Sequence, residues 1–317
     1  MQSLWMLVAS FLFSIMGVCV KLASDTYSTS EIVAYRGAIG MLMIFILIRV
    51  QGGSLRTSMP GHHLWRGAIG VLALWLWFYS ISRLSLAMAV TLNYMSPVWI
   101  AVFLFTTAWF KAGRDGNDNR RIEWGLVGAV TLGFAGVILL LRPSMHADQM
   151  LGGVVALVSG MLAALAYMQV RQMGLMGEPE YRVVFYFSAT CAVAGVLGAL
   201  LTGGLSDHSL ASGWHPHKLK GLLLLLVIGV TAASAQMAMT RAYRLGNTLV
   251  VANLQYVGIV FSSIWDVMLW HDQLAWLSWC GIAIILSSGL IATFYNSRNK
   301  TALPNDPIAS EYQAFAR

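Results

Sequence analysis

Apolar runs of about twenty residues recur along the chain, each closed by a short polar or charged stretch. At 1.5 Å per helical residue such a run crosses a bilayer core of about 30 Å, so the pattern predicts membrane-spanning helices. The expected spans are Ser3 to Ala23, Glu31 to Val50, Trp65 to Ser82, Leu86 to Phe110 and Trp124 to Leu141, then Leu151 to Val170, Val183 to Leu201, Leu219 to Met239, Asn247 to Trp270 and Leu274 to Tyr295. The first run lacks a basic segment before it and is too long for a signal peptide, so it is read as an uncleaved span. The stretch from Asn296 is polar, holds two prolines and is expected to be solvated and poorly ordered.

Span four is the least ordinary of these. It carries no charge, yet Pro97 sits near its middle with Thr91, Asn93, Tyr94 and Ser96 within two turns. Proline removes a backbone donor and frees the carbonyl a turn earlier. In lipid that is tolerated only where neighbouring helices, hydroxyls or water satisfy the loosened groups. Span four should therefore face protein or a polar cavity.

The pattern also repeats. Arg83-Leu84-Ser85 before span four lies over Arg244-Leu245-Gly246 before span nine, and the same offset lays Pro97 on Gly258 and Val98 on Ile259. Both residues weaken a helix, so the two halves should be irregular at matching depth. Spans five and ten share a Gly-x7-Gly spacing, Gly128 with Gly136 and Gly281 with Gly289, which permits close helix packing. Because each half has an odd number of spans, the second should enter the membrane inverted. Inverted repeats imply alternating access, with cargo near the midplane at interrupted helices. The expected units are residues 1–143, residues 144–295 and a cytoplasmic tail of residues 296–317.

Composition agrees with this picture. Hydrophobic residues make up 58% of the 317 and charged residues only 10%, too few charges for a soluble domain, where about 25% is usual. The net charge of +7 is spread over separate loops instead of one basic face, which argues against a nucleic-acid partner. With the N-terminus cytoplasmic, fourteen of the 20 lysines and arginines fall on the inner side, Arg49, Arg56, Arg66, Arg120 and Arg121 among them, so both termini are expected inside.

These features resemble a known family. Ten spans in two five-span repeats, with Leu-Asn-Tyr-Met-Ser-Pro-Val-Trp-Ile-Ala in span four and Asn-Leu-Gln-Tyr-Val-Gly-Ile-Val-Phe in span nine, look like the EamA branch of the drug/metabolite transporter superfamily. The resemblance covers residues 3–295. It implies an all-α integral membrane carrier of the bacterial inner membrane that exports amino acids or related metabolites, while some members take compounds up. The chain departs from the family in three places: Lys111-Ala112-Gly113 stands where a Gly-Glu often follows span four, His271-Asp272 stands at the matching place after span nine, and Gly258 replaces the usual proline of span nine.

No enzyme signature accompanies the spans. The histidines, His62, His63, His146, His208, His215, His217 and His271, are expected in loops and lack the spacing of a metal site. Cys19, Cys191 and Cys280 lie in apolar runs and read as inert small residues. No cofactor or metal is expected. The central third of each span holds no aspartate or glutamate, and Asp266 reads as an interfacial partner near the end of span nine.

The candidate substrate-binding set is therefore neutral and aromatic: Trp75, Tyr79, Asn93, Tyr94, Tyr167, Gln169, Gln236, Asn253, Gln255 and Tyr256. Arg36, the one cation well inside a span, joins them, and Pro97 and Gly258 are the candidate hinges. Trp75 and Trp77 point in different directions on a helix, so at most one of them should reach a cavity. Amides, phenols and indoles suit a small zwitterionic or aromatic solute. The partners expected are that solute and the bilayer, with a proton as candidate coupling ion and a monomer sufficient. The rival expectations are a nucleotide-sugar or other metabolite uptake carrier and, from another class, a membrane scaffold or lipid-modifying protein.

Overall fold

The structure, a computed structural model, describes residues 2–84, 86–103, 106, 124–141, 150–207, 214–271 and 276–299. All regular structure among them is helical. After a short 3₁₀ turn, Gln2–Leu4, come α1 (Trp5–Ala23), α2 (Thr29–Gln51), α3 (Pro60–Arg83), α4 (Leu86–Asn93) and α5 (residues 96–103). There follow α6 (Trp124–Leu141), α7 (Met150–Leu175), α8 (Glu180–Asp207), α9 (Leu219–Leu245), α10 (Thr248–Leu254), α11 (Val257–Trp270) and α12 (Trp276–Asn299). Among the described residues, seven helical stretches are long and apolar enough to cross a membrane, α10 with α11 counting as one.

Local chemistry sets several boundaries. The capping box of Ser28 and Glu31 starts α2, and Gly52 ends it in the left-handed conformation (φ 68°). Pro60 opens α3 at a position where its missing N–H costs nothing, so this helix begins five residues before the expected Trp65. His62 and His63 consequently lie on α3 and not in a loop. α12 runs on to Asn299, so residues 296–299 are helical where a solvated tail was expected; residues 300–317 lie outside the described part, as do Lys111 to Glu123.

Large apolar side chains such as Leu42, Ile46, Leu197, Leu223 and Leu226 face outward, as lipid contact requires, and small residues fill the seams between helices. α2 packs on α8, α1 on α9, α3 on α7 and α6 on α12. At the α2/α8 seam a Cβ at Gly37 would sit 2.6 Å from the Ser188 carbonyl, and one at Gly195 would meet the backbone of Ala34. Gly136 of α6 lies against the Gly281 carbonyl of α12. Trp5, Trp65, Trp270 and Trp276 are exposed at helix ends, where interfacial anchors belong; Trp109 lies outside the described residues.

Candidate functional site

Two helix breaks meet inside the bundle. α4 stops at Asn93 and α5 resumes at residue 96, while α10 stops at Leu254 and α11 resumes at Val257. These interruptions fall at matching places under the offset that aligns Pro97 with Gly258. Pro97 has no N–H for the Asn93 carbonyl, and the turns tighten to i−3 bonds, Met95 N–H to Leu92 O (3.3 Å) and Tyr256 N–H to Asn253 O (3.1 Å). The breaks touch. Gln255 Nε2 donates to Ser96 Oγ (3.2 Å), and the Tyr94 ring lies across Gly258, where a Cβ would come within 2.8 Å of it. Gly160 of α7 gives room on the other side, since a Cβ there would be 2.6 Å from the Asn93 carbonyl.

Against this contact lies a cavity of about 50 Å³, space for a few waters. Phe13 and Met16 of α1, Arg36 of α2, Arg66, Ala73 and Trp77 of α3, Asn93 and Tyr94, Tyr167 of α7, Phe187 of α8, Gln236 of α9 and Gln255 are among the residues lining it. None of the lining residues is acidic. No lining residue belongs to α6 or α12 among those described.

Six of the candidates are thus brought together: Arg36, Asn93, Tyr94, Tyr167, Gln236 and Gln255. The others go elsewhere. Trp75 packs against Gly198 of α8, and its place at the cavity is taken by Trp77. Tyr79 lies under the Arg83 guanidinium, 5.5 Å from ring centroid to Cζ, and Gln169 is half-buried off the cavity. Asn253 is a fastener to α12, with Nδ2 donating to Ser288 O (2.9 Å) and Oδ1 accepting from Ser288 Oγ (3.4 Å). Tyr256 packs on Gly133 of α6. Asn93 both lines the cavity and braces it: its Nδ2 donates to Ser159 Oγ (2.8 Å), whose hydroxyl donates to Ala73 O (2.7 Å). The Thr91 side chain is not among those described.

The sequence pattern puts Arg66 at the inner end of span three, where it does not stand out as a cavity residue; α3 starts early enough to carry it nearly two turns inward. Arg36 and Arg66 are each 2% exposed and share one aromatic ring, Phe187, with Cζ to centroid distances of 5.3 and 4.1 Å. Gly70, one turn beyond Arg66, leaves the slot in which that guanidinium lies. Arg36 donates to the Cys191 sulfur (3.4 Å), so Cys191 is this cation's neighbour and not merely a filler. Arg36 Nε, Arg66 Nε and one terminal nitrogen of Arg66 have no partner among the described residues. A cation–π contact supplies about 0.5–2 kcal/mol. Burying an ion costs several kcal/mol, so Phe187 alone does not offset two of them.

The acid nearest in sequence to Arg36 is engaged elsewhere. Glu31 accepts from the His215 backbone N–H (2.8 Å), from Ser28 N–H (2.9 Å) and sits 2.6 Å from His215 Nδ1. His217 lies 2.5 Å from the Tyr35 hydroxyl and 3.3 Å from that of Tyr27. The segment His215-Pro216-His217, expected to be a free loop, instead clasps the α1 to α2 link. Nearby, Lys21 Nζ donates to the Ile81 and Leu84 carbonyls at the end of α3, within electrostatic reach of buried Asp266.

The opposite end of the bundle carries a second clasp. His63 of α3 is 2.9 Å from Glu178, in the turn between α7 and α8, and Arg182 is 3.5 Å from the other oxygen. Burial pushes the Glu178 carboxyl up, but the hydrogen bonds from His63 and Thr57 and the charge of Arg182 outweigh it and hold the group below the usual carboxylate range. Such a carboxylate adds stability above its unfolded pKa, and the gain is lost as pH falls through the folded value. Glu178→Gln protein should therefore lose less melting temperature than the wild type between about pH 7 and about pH 4; equal acid losses in thermal scans would count against the clasp.

Comparison with known proteins fits this architecture. The EamA-like transporter family matches residues 1–142. The pseudopaline exporter CntI of Pseudomonas aeruginosa is 34% identical over 265 residues, covering 84% of this chain and 86% of the exporter. The chain belongs to the EamA branch of the drug/metabolite transporter superfamily. Another relative of this EamA chain, the riboflavin transporter of Vibrio cholerae, is 24% identical over 93% of the chain and 94% of its own length. A solved crystal structure, 18% identical, shares the fold of the EamA chain with a TM-score of 0.71 over 92% of this chain and 98% of its own. The chain is thus a multi-pass membrane transporter whose relatives move small molecules.

Proposed function

We propose that this chain is a secondary carrier of the bacterial inner membrane that exports amino acids or related compounds by alternating access. The observation carrying this is the meeting of two helix breaks at a largely apolar cavity with polar side chains in its wall, where half-helix ends can part and re-form without loss of whole spans. A cavity of about 50 Å³ is too small for an amino acid with a large side chain, so loading requires the helices around it to move. The export direction draws on the pseudopaline exporter among the relatives.

Ten spans in two inverted halves, residues 1–143 and 144–295, underlie this reading. It is supported by the packing. Exchanging α1 with α7, α2 with α8, α3 with α9 and α6 with α12 turns the α1/α9 contact into the α7/α3 contact and returns the α2/α8 and α6/α12 pairs to themselves. With both termini cytoplasmic, the His215 clasp lies on the outer side and the Glu178 clasp on the inner, so each end has a closure that the cycle must open.

Purified protein in proteoliposomes, given labelled amino acids, purines and cationic drugs with and without a pH gradient, tests the proposal. Saturable amino-acid flux stimulated by the same solute on the far side is expected. Flux equal to that of protein-free vesicles for every amino acid would overturn it.

A further inference from the structure

The transport reading leaves two buried cations without a stated purpose, and the inference that follows rests on that reading. Arg36 and Arg66 are 2% exposed, line the same cavity and flank the same Phe187 ring. They are close enough to repel each other, and both act on the Tyr167 phenol. Among the described residues, three of their donor nitrogens lack partners and no lining residue is an acid. Glu31, one turn and a half before Arg36, is engaged by His215 and Ser28. Two like charges held together in a low-dielectric pocket need a counter-anion, and nothing in the described protein supplies one. A fork of guanidinium donors fits a carboxylate in bidentate fashion.

The cavity offers one complementary acceptor. The Gln255 amide donates through Nε2 to Ser96 and interacts with the Tyr167 phenol, while its Oε1 is buried with no hydrogen-bond partner among the described residues. That oxygen suits an ammonium or an amine N–H. Trp77 adds an indole donor, also unpartnered, on the cavity wall.

We infer that Arg36 and Arg66 form an anion subsite and that the cargo is an amine-bearing dicarboxylate, an acidic amino acid or a compound built like one. One carboxylate meets each guanidinium, and the amine meets Gln255 at the junction of the two breaks. Occupancy pairs each guanidinium with a carboxylate and leaves only the cargo ammonium uncompensated, so this charge pairing would favour the closed arrangement of the helices. An empty pocket, with two cations repelling, would favour admitting water from one side.

Counterflow in proteoliposomes of the full chain tests this, with L-glutamate and L-leucine as probes at equal concentration. Glutamate is expected to exchange at least ten-fold faster than leucine in the wild type. Arg36→Gln and Arg66→Gln should each raise the KM for glutamate at least ten-fold while maximal flux is largely kept, and Arg36→Lys and Arg66→Lys should recover part of the loss. A purely structural role would lower maximal flux and the amount of folded protein without moving KM. Saturable leucine flux with no glutamate flux in the wild type, a result that needs no variant, overturns the anion subsite and leaves the carrier proposal standing. Absence of flux for both probes and for the whole amino-acid panel overturns the carrier proposal together with it.

Discussion

Gly37→Val should leave little folded transporter in the membrane. A Cβ at this position would lie 2.6 Å from the Ser188 carbonyl oxygen and closer still to the Ala192 backbone nitrogen, and both are main-chain atoms that no rotamer change can move aside. Accommodation requires α2 and α8 to separate along their length, which also pulls Gly195 away from the backbone of Ala34. Overpacking a close-packed interior costs about 1–3 kcal/mol where side chains can yield, and more where only backbone can. Against a net stability of about 5–15 kcal/mol that is a large share. The expected readout is a fall in melting temperature of about 5 °C or more for Gly37→Ala, and loss of the monodisperse peak in size exclusion for Gly37→Val. Gly61→Ala is the control, because nothing stands within 4 Å of a Cβ there. Wild-type melting of Gly37→Val would mean that the two helices are not sealed at this point.

Gln255→Leu and Asn253→Leu should fail in different ways, although the two amides are one helical step apart from being neighbours. Gln255 faces the cavity and reaches across to Ser96 on the other broken helix. Its loss removes the polar bridge between the breaks and one hydrogen-bonding wall of the cavity, so flux of any amino-acid cargo should fall at least about ten-fold, the equivalent of one strong hydrogen bond. The protein should still fold, since leucine is an acceptable neighbour for Phe13, Met16 and Tyr94. Asn253 instead holds the Ser288 carbonyl and hydroxyl of α12 and never reaches the cavity. Its replacement removes two hydrogen bonds to buried Ser288, each worth about 0.5–1.5 kcal/mol. Lowered melting temperature with an unchanged KM is expected. Identical kinetic behaviour of the two variants would show that the cavity is not where cargo is handled.

Seven membrane-crossing stretches and the positions of the two breaks are legible in the sequence for a simple reason: each depends on local composition. Twenty apolar residues in a row have few alternatives in a cell, and Pro97 and Gly258 interrupt helices because of their own covalent structure. The aligned offset from Arg83 and Arg244 to the two breaks could be read for the same reason. Orientation around a helix could not. Trp75 and Trp77 lie on opposing faces of α3, and only packing against Gly198 decides that Trp77 has the cavity. Asn253 and Tyr256 flank Gln255 in the sequence, yet they serve the α6 and α12 side of the bundle. Counting apolar residues from Trp65 puts His63 in a loop and Arg66 at the very end of its span, whereas Pro60 nucleates the helix earlier. His215 and His217 are exposed loop residues, as the sequence suggests, but their partners, Glu31, Tyr27 and Tyr35, are more than 180 residues away along the chain and could not be read from it.

The α6/α12 pair, joined by the Gly136 contact and tied to α10 through Asn253, contributes no described residue to the cavity wall. On the proposed carrier reading, recognition and support fall to separate pieces of the molecule. Evolution, or a designer, can rewrite the recognition surface on the other helices and inherit this mast unchanged, which is one physical route by which a single scaffold comes to serve many solutes.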